Sequence, residues 1–208
     1  TAPELSALFS RFLARSCADV LKQTGGGNVL ELGAGSGVMA ADVLRELAAC
    51  NALPERYFIL ERSADLRKRQ QTHLQRTVPQ WLERVRWLDA PPEHPWRGVL
   101  IANEVLDAWP VTLFGWHANR TVEYGVGWND PGFVWLERPA DAVLESHVRT
   151  WAGHYAWPDV YRSELNPSLP AWLQSLTANL VRGACVFVDY GYARHEYYSA
   201  ERAQGTLL

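Results

Sequence analysis

The stretch from Asn28 to Gly37, NVLELGAGSG, constrains the fold of this chain more than any other. Apolar residues interrupted by Glu31 lead into Gly33, Gly35 and Gly37, and an apolar pattern with helical spacing follows. This order predicts a buried strand, a tight turn and a helix. Glycine at alternate positions permits a sharp turn and leaves the main chain accessible to a ligand, because no Cβ stands in the way.

The spacing of these glycines indicates which ligand the loop accepts. A dinucleotide loop has the pattern G-x-G-x-x-G, but Val38 occupies its third glycine position here, and the Gly-Lys-Ser/Thr end of a phosphate loop is absent. Glu31 lies two residues before Gly33, and an acid beside the loop favours a cationic ligand over phosphate. S-adenosylmethionine carries a sulfonium and an ammonium group without phosphate, so we expect it as the cofactor. The alternative is a glycine turn that serves only helix–strand packing.

Acidic residues follow the next two predicted strands. Glu61 comes directly after Tyr57–Leu60, at about the distance from the glycine loop that is typical of an acid binding both ribose hydroxyls in a doubly wound sheet. A surface glutamate at a strand end is the alternative. Asp89 follows Val85–Leu88, and either accepts a hydrogen bond from the adenine amino group or is a loop residue before two prolines.

A further polar cluster follows the predicted fourth strand, Gly98–Ala102. It reads Asn103-Glu104-Val105-Leu106-Asp107. If a helical turn follows the strand, Glu104 and Asp107 share one face of it, where two carboxylates can orient a cationic acceptor such as a guanidinium. We therefore expect Glu104, Asp107 and Asn103 at the methyl-transfer site, with Asn103 also contacting the cofactor. Capping of a helix N-terminus is the alternative, and it stays open for Asp107.

The remaining chain predicts how this unit is completed. Over residues 111–137, apolar residues recur at every second position between turn signals, which predicts a β-meander inserted after the fourth strand. Tyr155–Pro170 is expected to be irregular. A helix is expected over Ala171–Arg182, stopped by Gly183, with a fifth strand at Ala184–Val188. The fold class is therefore α/β, a Rossmann-like doubly wound sheet of the class I methyltransferase type. We expect a single domain over 1–208, truncated at both ends.

Composition excludes several classes of function. The net charge of −3 gives no basic footprint for nucleic acid, and no apolar run is long enough to span a membrane. The three cysteines are scattered, which is typical of free thiols in a reducing compartment. Neither they nor the six histidines show metal-ligand spacing, so no metal site is expected. The oligomeric state stays open.

Several stretches together resemble the MidA-like methyltransferases, a family that includes the mitochondrial complex I assembly-factor enzyme. They are T-A-P-E-L-S at 1–6, E-L-G-A-G-S-G at 31–37, A-N-E-V-L-D-A-W-P-V at 102–111 and D-Y-G-Y at 189–192. The third is the most specific, and Trp109 departs from it because family members usually have leucine there. The resemblance covers the whole chain, although members have further residues before the first stretch and after the last.

The resemblance implies an S-adenosylmethionine-dependent enzyme whose acceptor is a protein arginine, as in the mitochondrial member. The compartment it implies is the cytoplasm of a bacterium or the mitochondrial matrix of a eukaryote. The rival expectation from a different class is a non-catalytic assembly partner that retains the fold. A nicotinamide-dependent dehydrogenase ranks third, because Val38 breaks the dinucleotide spacing.

Overall fold

In the computed structural model, which describes residues 2–206, the chain divides into two compact units. The first comprises residues up to Leu106 together with Trp172–Asp189. The second comprises Asp107–Ala171 and the residues from Tyr190 onward. The single-domain organisation expected from the sequence stays a prediction.

The described residues form nine strands in two sheets. The strands are β1 (Asn28–Leu32), β2 (Tyr57–Leu60), β3 (Val85–Leu88), β4 (Trp96–Asn103), β5 (Thr112–His117), β6 (Arg120–Asn129), β7 (Gly132–Pro139), β8 (Val160–Leu165) and β9 (Leu180–Val188). The α-helices are α1 (Ala2–Leu5), α2 (Ala7–Thr24), α3 (Val38–Ala49), α4 (Ala64–Thr77), α5 (Ala142–Tyr155), α6 (Leu169–Thr177) and α7 (Arg194–Tyr197). Short 3₁₀ helices span Pro79–Arg84 and Ala200–Arg202.

The first unit is built on a sheet in which all five strands are parallel, in the order β3-β2-β1-β4-β9. Buried side chains of α2, α3 and α4 pack on one face of this sheet, and the part of α6 from Trp172 onward packs on the other. The sheet is thus doubly wound, as the sequence predicts. The strand order reverses between β1 and β4, and ligands in such sheets bind beyond the carboxyl ends of the strands at that point.

Capping residues and ion pairs define the helices that pack on the first face of the sheet. Ser6 caps α2 and Ser63 caps α4, each hydroxyl accepting a hydrogen bond from a backbone N–H of the first turn. Gly25, in the left-handed conformation, ends α2. Helices α2 and α3 are joined by Glu46, whose carboxylate accepts from the guanidinium groups of Arg11 and Arg15 at 2.9 and 2.8 Å. These ion pairs hold α2 and α3 together on the face of the sheet against which both helices pack.

The second unit contains an antiparallel sheet in the order β7-β6-β5-β8. Strands β5, β6 and β7 are the meander predicted over 111–137, and they end at Pro139. The expectation that Tyr155–Pro170 is irregular is wrong, because β8 lies within it and pairs with β5. The aromatic core of this unit includes Trp157 stacked on Tyr161, with ring centroids 4.2 Å apart.

The predicted boundary between the last long helix and the last strand is also wrong. α6 ends at Thr177, and β9 begins at Leu180 instead of Ala184. Gly183 therefore does not stop a helix. It lies in β9 opposite Gly98, where an added Cβ would be 1.8 Å from the Gly98 carbonyl oxygen, so only glycine allows the two strands to approach this closely.

Candidate functional site

A pocket of about 180 Å³ lies at the point where the strand order of the first unit reverses. Its walls come from the glycine loop after β1, the start of α3, the carboxyl end of β4 and the short helix α1. The lining residues are Pro3, Glu4, Glu31, Gly33, Ala34, Gly35, Ser36, Val38, Met39, Asn103 and Glu104. The structure thus brings Glu31, two of the loop glycines, Asn103 and Glu104 together, as the sequence predicts.

Gly35 lies in the glycine loop with φ at +52°, in the left-handed region. An added Cβ at this position would meet no atom within 4 Å, so it would point into open space beside the pocket. This backbone conformation favours glycine, and the space that a side chain would fill is available to a ligand. Gly37 lies outside the pocket lining, and a Cβ there would lie 3.3 Å from Gln70 Cα, so glycine allows α3 to begin close to α4. Its contact with the cofactor stays a prediction.

Glu31 is a fully buried carboxyl group in the wall of this pocket. The hydroxyl of Tyr57 donates to its Oε2 at 2.6 Å, whereas Oε1 has no hydrogen-bond partner among the described residues. Burial raises the pKa of Glu31 to about 7, although the Tyr57 hydrogen bond acts in the opposite direction. A buried acid with one unpaired oxygen is costly for folding, so this oxygen suits a cationic or hydrogen-bond-donating ligand group.

Two other carboxylates line the same pocket. Glu4 lies in α1, and its Oε1 accepts a hydrogen bond from the Ser36 hydroxyl at 2.9 Å, which joins α1 to the glycine loop. Glu104, the residue that follows β4, also lines the pocket. Three acids around one small pocket favour a positively charged ligand. Pro3 and Glu4 belong to a stretch that resembles a known family, but no pattern in the sequence assigned them to the site.

The backbone after β4 forms a bend instead of the expected helical turn. Glu104 has φ of +50°, and its N–H donates to the Val188 carbonyl at 2.9 Å. Asp189 then accepts from the backbone N–H groups of Val105 and Leu106 at 3.0 and 2.6 Å. The expectation that Glu104 and Asp107 share a helical face is therefore wrong, because no helix follows β4 directly among the described residues.

Asp107 begins the second unit and does not line the pocket. Its assignment to the transfer site rested on the helical face it was expected to share with Glu104, and that face is not formed. A role for Asp107 in transfer stays a prediction without support from the geometry of the first unit.

Glu61 follows β2 and lies outside the lining of the pocket. Its Oε1 accepts from the Ser63 N–H at 2.8 Å, and its Oε2 lies 3.4 Å from Gln70 Nε2. Asp89 has a side chain that is 85% exposed and is paired with Arg67 at 2.7 Å. Arg67 also donates to the Leu88 carbonyl, so it fixes the end of β3. The ribose and adenine contacts of Glu61 and Asp89 stay predictions.

Gln70 is a polar residue of the site that sequence reasoning did not select. It is fully buried on α4, where its Nε2 donates to the Gly35 carbonyl at 3.0 Å and its Oε1 accepts from Trp87 Nε1 at 2.8 Å. With the longer contact to Glu61, one side chain joins the glycine loop, the end of β2 and strand β3. The neighbouring basic residues, Arg67 to Arg69, are typical of a solvated helix face, so the local pattern does not indicate a buried amide.

The described part of the chain meets neither the requirements of a metal site nor those of a membrane-spanning helix. Within residues 2–206, no group of three or more His, Cys, Asp or Glu side chains is arranged to hold a metal ion. None of the described helices is long and apolar enough to cross a membrane.

Solved structures provide two comparisons at high similarity. A protein from Burkholderia thailandensis, crystallised with bound S-adenosyl-homocysteine, is 42% identical to this chain with a TM-score of 0.90, and the match covers 99% of this chain and 52% of that one. A protein from the same organism, described in a native crystal structure, is also 42% identical with a TM-score of 0.89, and the match covers 99% of this chain and 54% of that one. The chain thus spans about half the length of these proteins. No curated protein matches it significantly.

The sequence profile of one protein family matches residues 12–208, and that family is described as "Putative S-adenosyl-L-methionine-dependent methyltransferase". The match includes the glycine loop, β4 and its bend, and the meander. The expected fold class is confirmed by the parallel sheet and by the similar structures. The expected cofactor is the one on which the family depends. Since the profile matches most of its length, the chain belongs to this family of S-adenosylmethionine-dependent methyltransferases.

Proposed function

We propose that this chain binds S-adenosylmethionine in the pocket at the β1–β4 switch point and transfers its methyl group to a protein arginine side chain. The observation that carries the cofactor assignment is Glu31, a buried acid in the wall of a pocket lined by two further carboxylates. Its Oε1 has no hydrogen-bond partner within residues 2–206. The bound S-adenosyl-homocysteine of the similar Burkholderia protein supports the same assignment.

The residues of the pocket fit the chemistry of this cofactor. When bound, S-adenosylmethionine supplies a methyl group that its sulfonium centre has already activated. Glu31 then holds the cationic methionine end, while Gly35 lets the ligand approach the backbone. Glu61, oriented by Gln70 and the Ser63 N–H, accepts hydrogen bonds from the ribose hydroxyls. The protein contributes mainly proximity and electrostatic stabilisation.

The acceptor assignment rests on Glu104 and on the resemblance to the MidA-like family. Glu104 places a carboxylate in the lining of the pocket, where a guanidinium can pair through its planar fork. A guanidinium is a poor nucleophile because its charge is delocalised. A carboxylate that keeps the charge on the remote nitrogens assists the attacking nitrogen, and it also accepts the proton that this nitrogen loses after transfer.

Isothermal titration tests the cofactor assignment. We expect the chain to bind S-adenosylhomocysteine and not NAD, because the loop lacks the dinucleotide spacing. Binding of NAD, or of neither ligand, would contradict the assignment. Binding without detectable transfer in the full-length protein would instead favour the non-catalytic assembly partner.

Radiolabelled cofactor tests the acceptor. The full-length protein is incubated with a lysate that lacks the endogenous enzyme, and the labelled material is digested. Label in methylarginine is expected, and label confined to nucleic acid or small molecules would refute the arginine assignment. Glu104→Gln should retain cofactor binding and lose most of the transfer rate, while Glu83→Gln, an exposed acid outside the pocket, should change neither.

A further inference from the structure

The cofactor pocket contains more negative charge than its own residues neutralise. Glu4, Glu31 and Glu104 line it, and its lining contains no lysine, arginine or histidine. In the part of the chain that the structure describes, Glu4 accepts a hydrogen bond from the Ser36 hydroxyl and Glu31 from the Tyr57 hydroxyl. No basic side chain within residues 2–206 forms an ion pair with any of the three acids. Carboxylates without counter-ions repel one another, so the pocket favours a cationic ligand.

Glu31 provides an independent observation that this charge serves a ligand. Its side chain is fully buried, and Oε1 has no hydrogen-bond partner within residues 2–206. A buried polar atom without a partner is costly, and a ligand that donates to it removes that cost. In the proposed function, Glu31 holds the methionine ammonium group. S-adenosylmethionine and its product S-adenosylhomocysteine both have this group, so Glu31 does not distinguish between them.

Glu4 is fixed in the pocket lining by the contacts of α1. The preceding residue, Pro3, is buried, and the Ser36 hydroxyl donates to Glu4 Oε1 at 2.9 Å. Ser36 lies between two glycines of the loop and also lines the pocket, so this hydrogen bond joins the carboxylate to the part of the loop that faces the ligand. Glu4 has no part in the transfer chemistry proposed above. Its charge therefore needs a different explanation.

A neighbouring groove does contain basic residues. Lys68, Arg69 and Arg76 of α4 line it, and Ser36 belongs to both linings. All three basic residues are exposed, and Arg69 is already paired with Asp65 at 2.7 Å. None of them lines the cofactor pocket. Salt screens exposed charges beyond about 8 Å at physiological ionic strength, so these residues offset the negative charge of the pocket only in part.

The cofactor and its product differ by one charge. The sulfur of S-adenosylmethionine is a sulfonium cation, whereas that of S-adenosylhomocysteine is a neutral thioether. With the ammonium group on Glu31, the sulfonium is the cationic centre that remains for Glu4 and Glu104. Attraction between these carboxylates and the sulfur is present before methyl transfer and absent after it.

We propose that Glu4 is a specificity-determining residue that, together with Glu104, makes the pocket bind S-adenosylmethionine more tightly than S-adenosylhomocysteine. This inference rests on the proposed cofactor site and assigns a further role to its charge. Its consequence is that the product of each transfer inhibits the protein only weakly, because the product lacks the charge that the pocket selects.

Calorimetric binding of three ligands to the full-length protein tests the proposal. Sinefungin has an amino group in place of the transferable methyl, so it is cationic near the same position and does not react. We expect the wild type to bind S-adenosylmethionine and sinefungin at least about tenfold more tightly than S-adenosylhomocysteine, a preference that declines as salt is raised. Glu4→Gln retains an oxygen that accepts from Ser36. It should lower this preference by about fivefold, the effect of one partly screened charge, and leave the affinity for S-adenosylhomocysteine within about twofold.

Three further variants separate charge from structure. Glu4→Asp retains the charge and should retain most of the preference. Glu83→Gln removes an exposed acid outside the pocket and should leave the preference unchanged. Ser36→Ala should lower the preference in the wild type but not in the Glu4→Gln background, because the Ser36 hydroxyl acts on the sulfur through Glu4.

The outcomes distinguish this inference from the cofactor assignment. Equal affinity of the wild type for the three ligands, or an unchanged preference in Glu4→Gln, would overturn the inference and leave the cofactor assignment intact. Equal weakening of all three ligands by Glu4→Gln would also overturn it, because Glu4 would then bind the ammonium group that they share. Binding of none of them would overturn both.

Discussion

Replacement of Glu31 by glutamine should make the free protein more stable at neutral pH while weakening its binding of the cofactor. A glutamine side chain at this position is close in shape to a protonated Glu31 and retains an oxygen that accepts from the Tyr57 hydroxyl. The variant therefore removes the ionisation of the carboxyl group and little else. It therefore separates the loss of folding stability caused by burying an ionised carboxylate from the contribution of that carboxylate to cofactor affinity.

The magnitude follows from the pKa. Burial raises the pKa of Glu31 from 4.5 to about 7. The folded state thus holds a proton that the unfolded state releases, so the free energy of unfolding of the wild type falls as pH rises from about 4.5 to about 7. One pKa unit corresponds to about 1.4 kcal/mol, so the difference is on the order of 3 kcal/mol. Glu31→Gln should match the wild type near pH 4.5 and exceed it by that amount above pH 7.

Glu46 provides a control of opposite sign. It is also a buried acid of the first unit, but hydrogen bonds from Arg15 and Arg11 lower its pKa. Its ionised form therefore stabilises the folded state above pH 4.5, and this contribution is lost as pH falls below that value. Glu46→Gln should be less stable than the wild type at neutral pH, and the difference should shrink in acid.

Urea unfolding at a series of pH values from about 3 to 8 measures both variants, because the Glu46 contribution is lost only below pH 4.5, and calorimetry measures binding of S-adenosylhomocysteine. We expect Glu31→Gln to weaken binding at pH 7.5 by about tenfold or more, the loss of one charge-assisted hydrogen bond. A Glu31→Gln protein whose unfolding free energy follows the same pH dependence as the wild type would refute the assignment of a buried, ionisable Glu31. Unchanged affinity would refute its contact with the ligand.

Three further predictions concern the same pocket. Glu61→Ala should weaken S-adenosylhomocysteine binding by about tenfold or more, since hydrogen bonds to a charged group contribute roughly 1.5–3 kcal/mol; calorimetry measures this, and undiminished affinity would remove the ribose assignment. Gly35→Val should abolish binding and leave the circular dichroism spectrum largely intact, because a β-branched side chain at φ of +52° is strained and fills the ligand's space; normal binding by the folded variant would show that the loop is only structural. Gln70→Met should weaken binding in the wild type and much less in the Glu61→Ala background, because Gln70 acts on the ligand partly through Glu61; equal losses in both backgrounds would argue against that coupling.

The parts of the fold that the sequence predicted correctly are those with strong local patterns. β1 with its glycine loop, β2 and β4 are short apolar runs bounded by turn residues, and such runs indicate buried strands without knowledge of their neighbours. The meander was visible because its alternation of apolar and polar residues has period two over three strands. Each of these signals lies within a few residues of the feature it predicts.

The errors arise where distant segments decide the structure. β8 forms because Val160–Leu165 completes the edge of β5, a pairing that no local pattern records. Gly183 stops a helix in isolation, but here it allows β9 to approach Gly98. The bend at Glu104 requires a positive φ from a residue other than glycine, and the Val188 carbonyl and Asp189 enforce it.

In the candidate site, the residues that the sequence could predict are polar side chains at the carboxyl ends of predicted strands. Glu31, Asn103 and Glu104 lie at the carboxyl ends of adjacent parallel strands, so they meet wherever the sheet is doubly wound. Gln70 could not be found in this way. Its spacing on α4 is that of a surface helix rich in arginine, and only the tertiary structure reveals that its amide is enclosed by three other elements.

The contacts of Asp189 with Val105 and Leu106 also bear on how the protein is made. They join positions 84 and 83 residues apart, and β9 pairs along β4 over a similar interval. A ribosome delivers β1, the glycine loop and β4 long before β9 emerges. Closing a loop of that length costs roughly 4 kcal/mol in its length-dependent part, which is recovered only when β9 joins the sheet. During synthesis, the wall of the pocket that contains Glu104 therefore forms last.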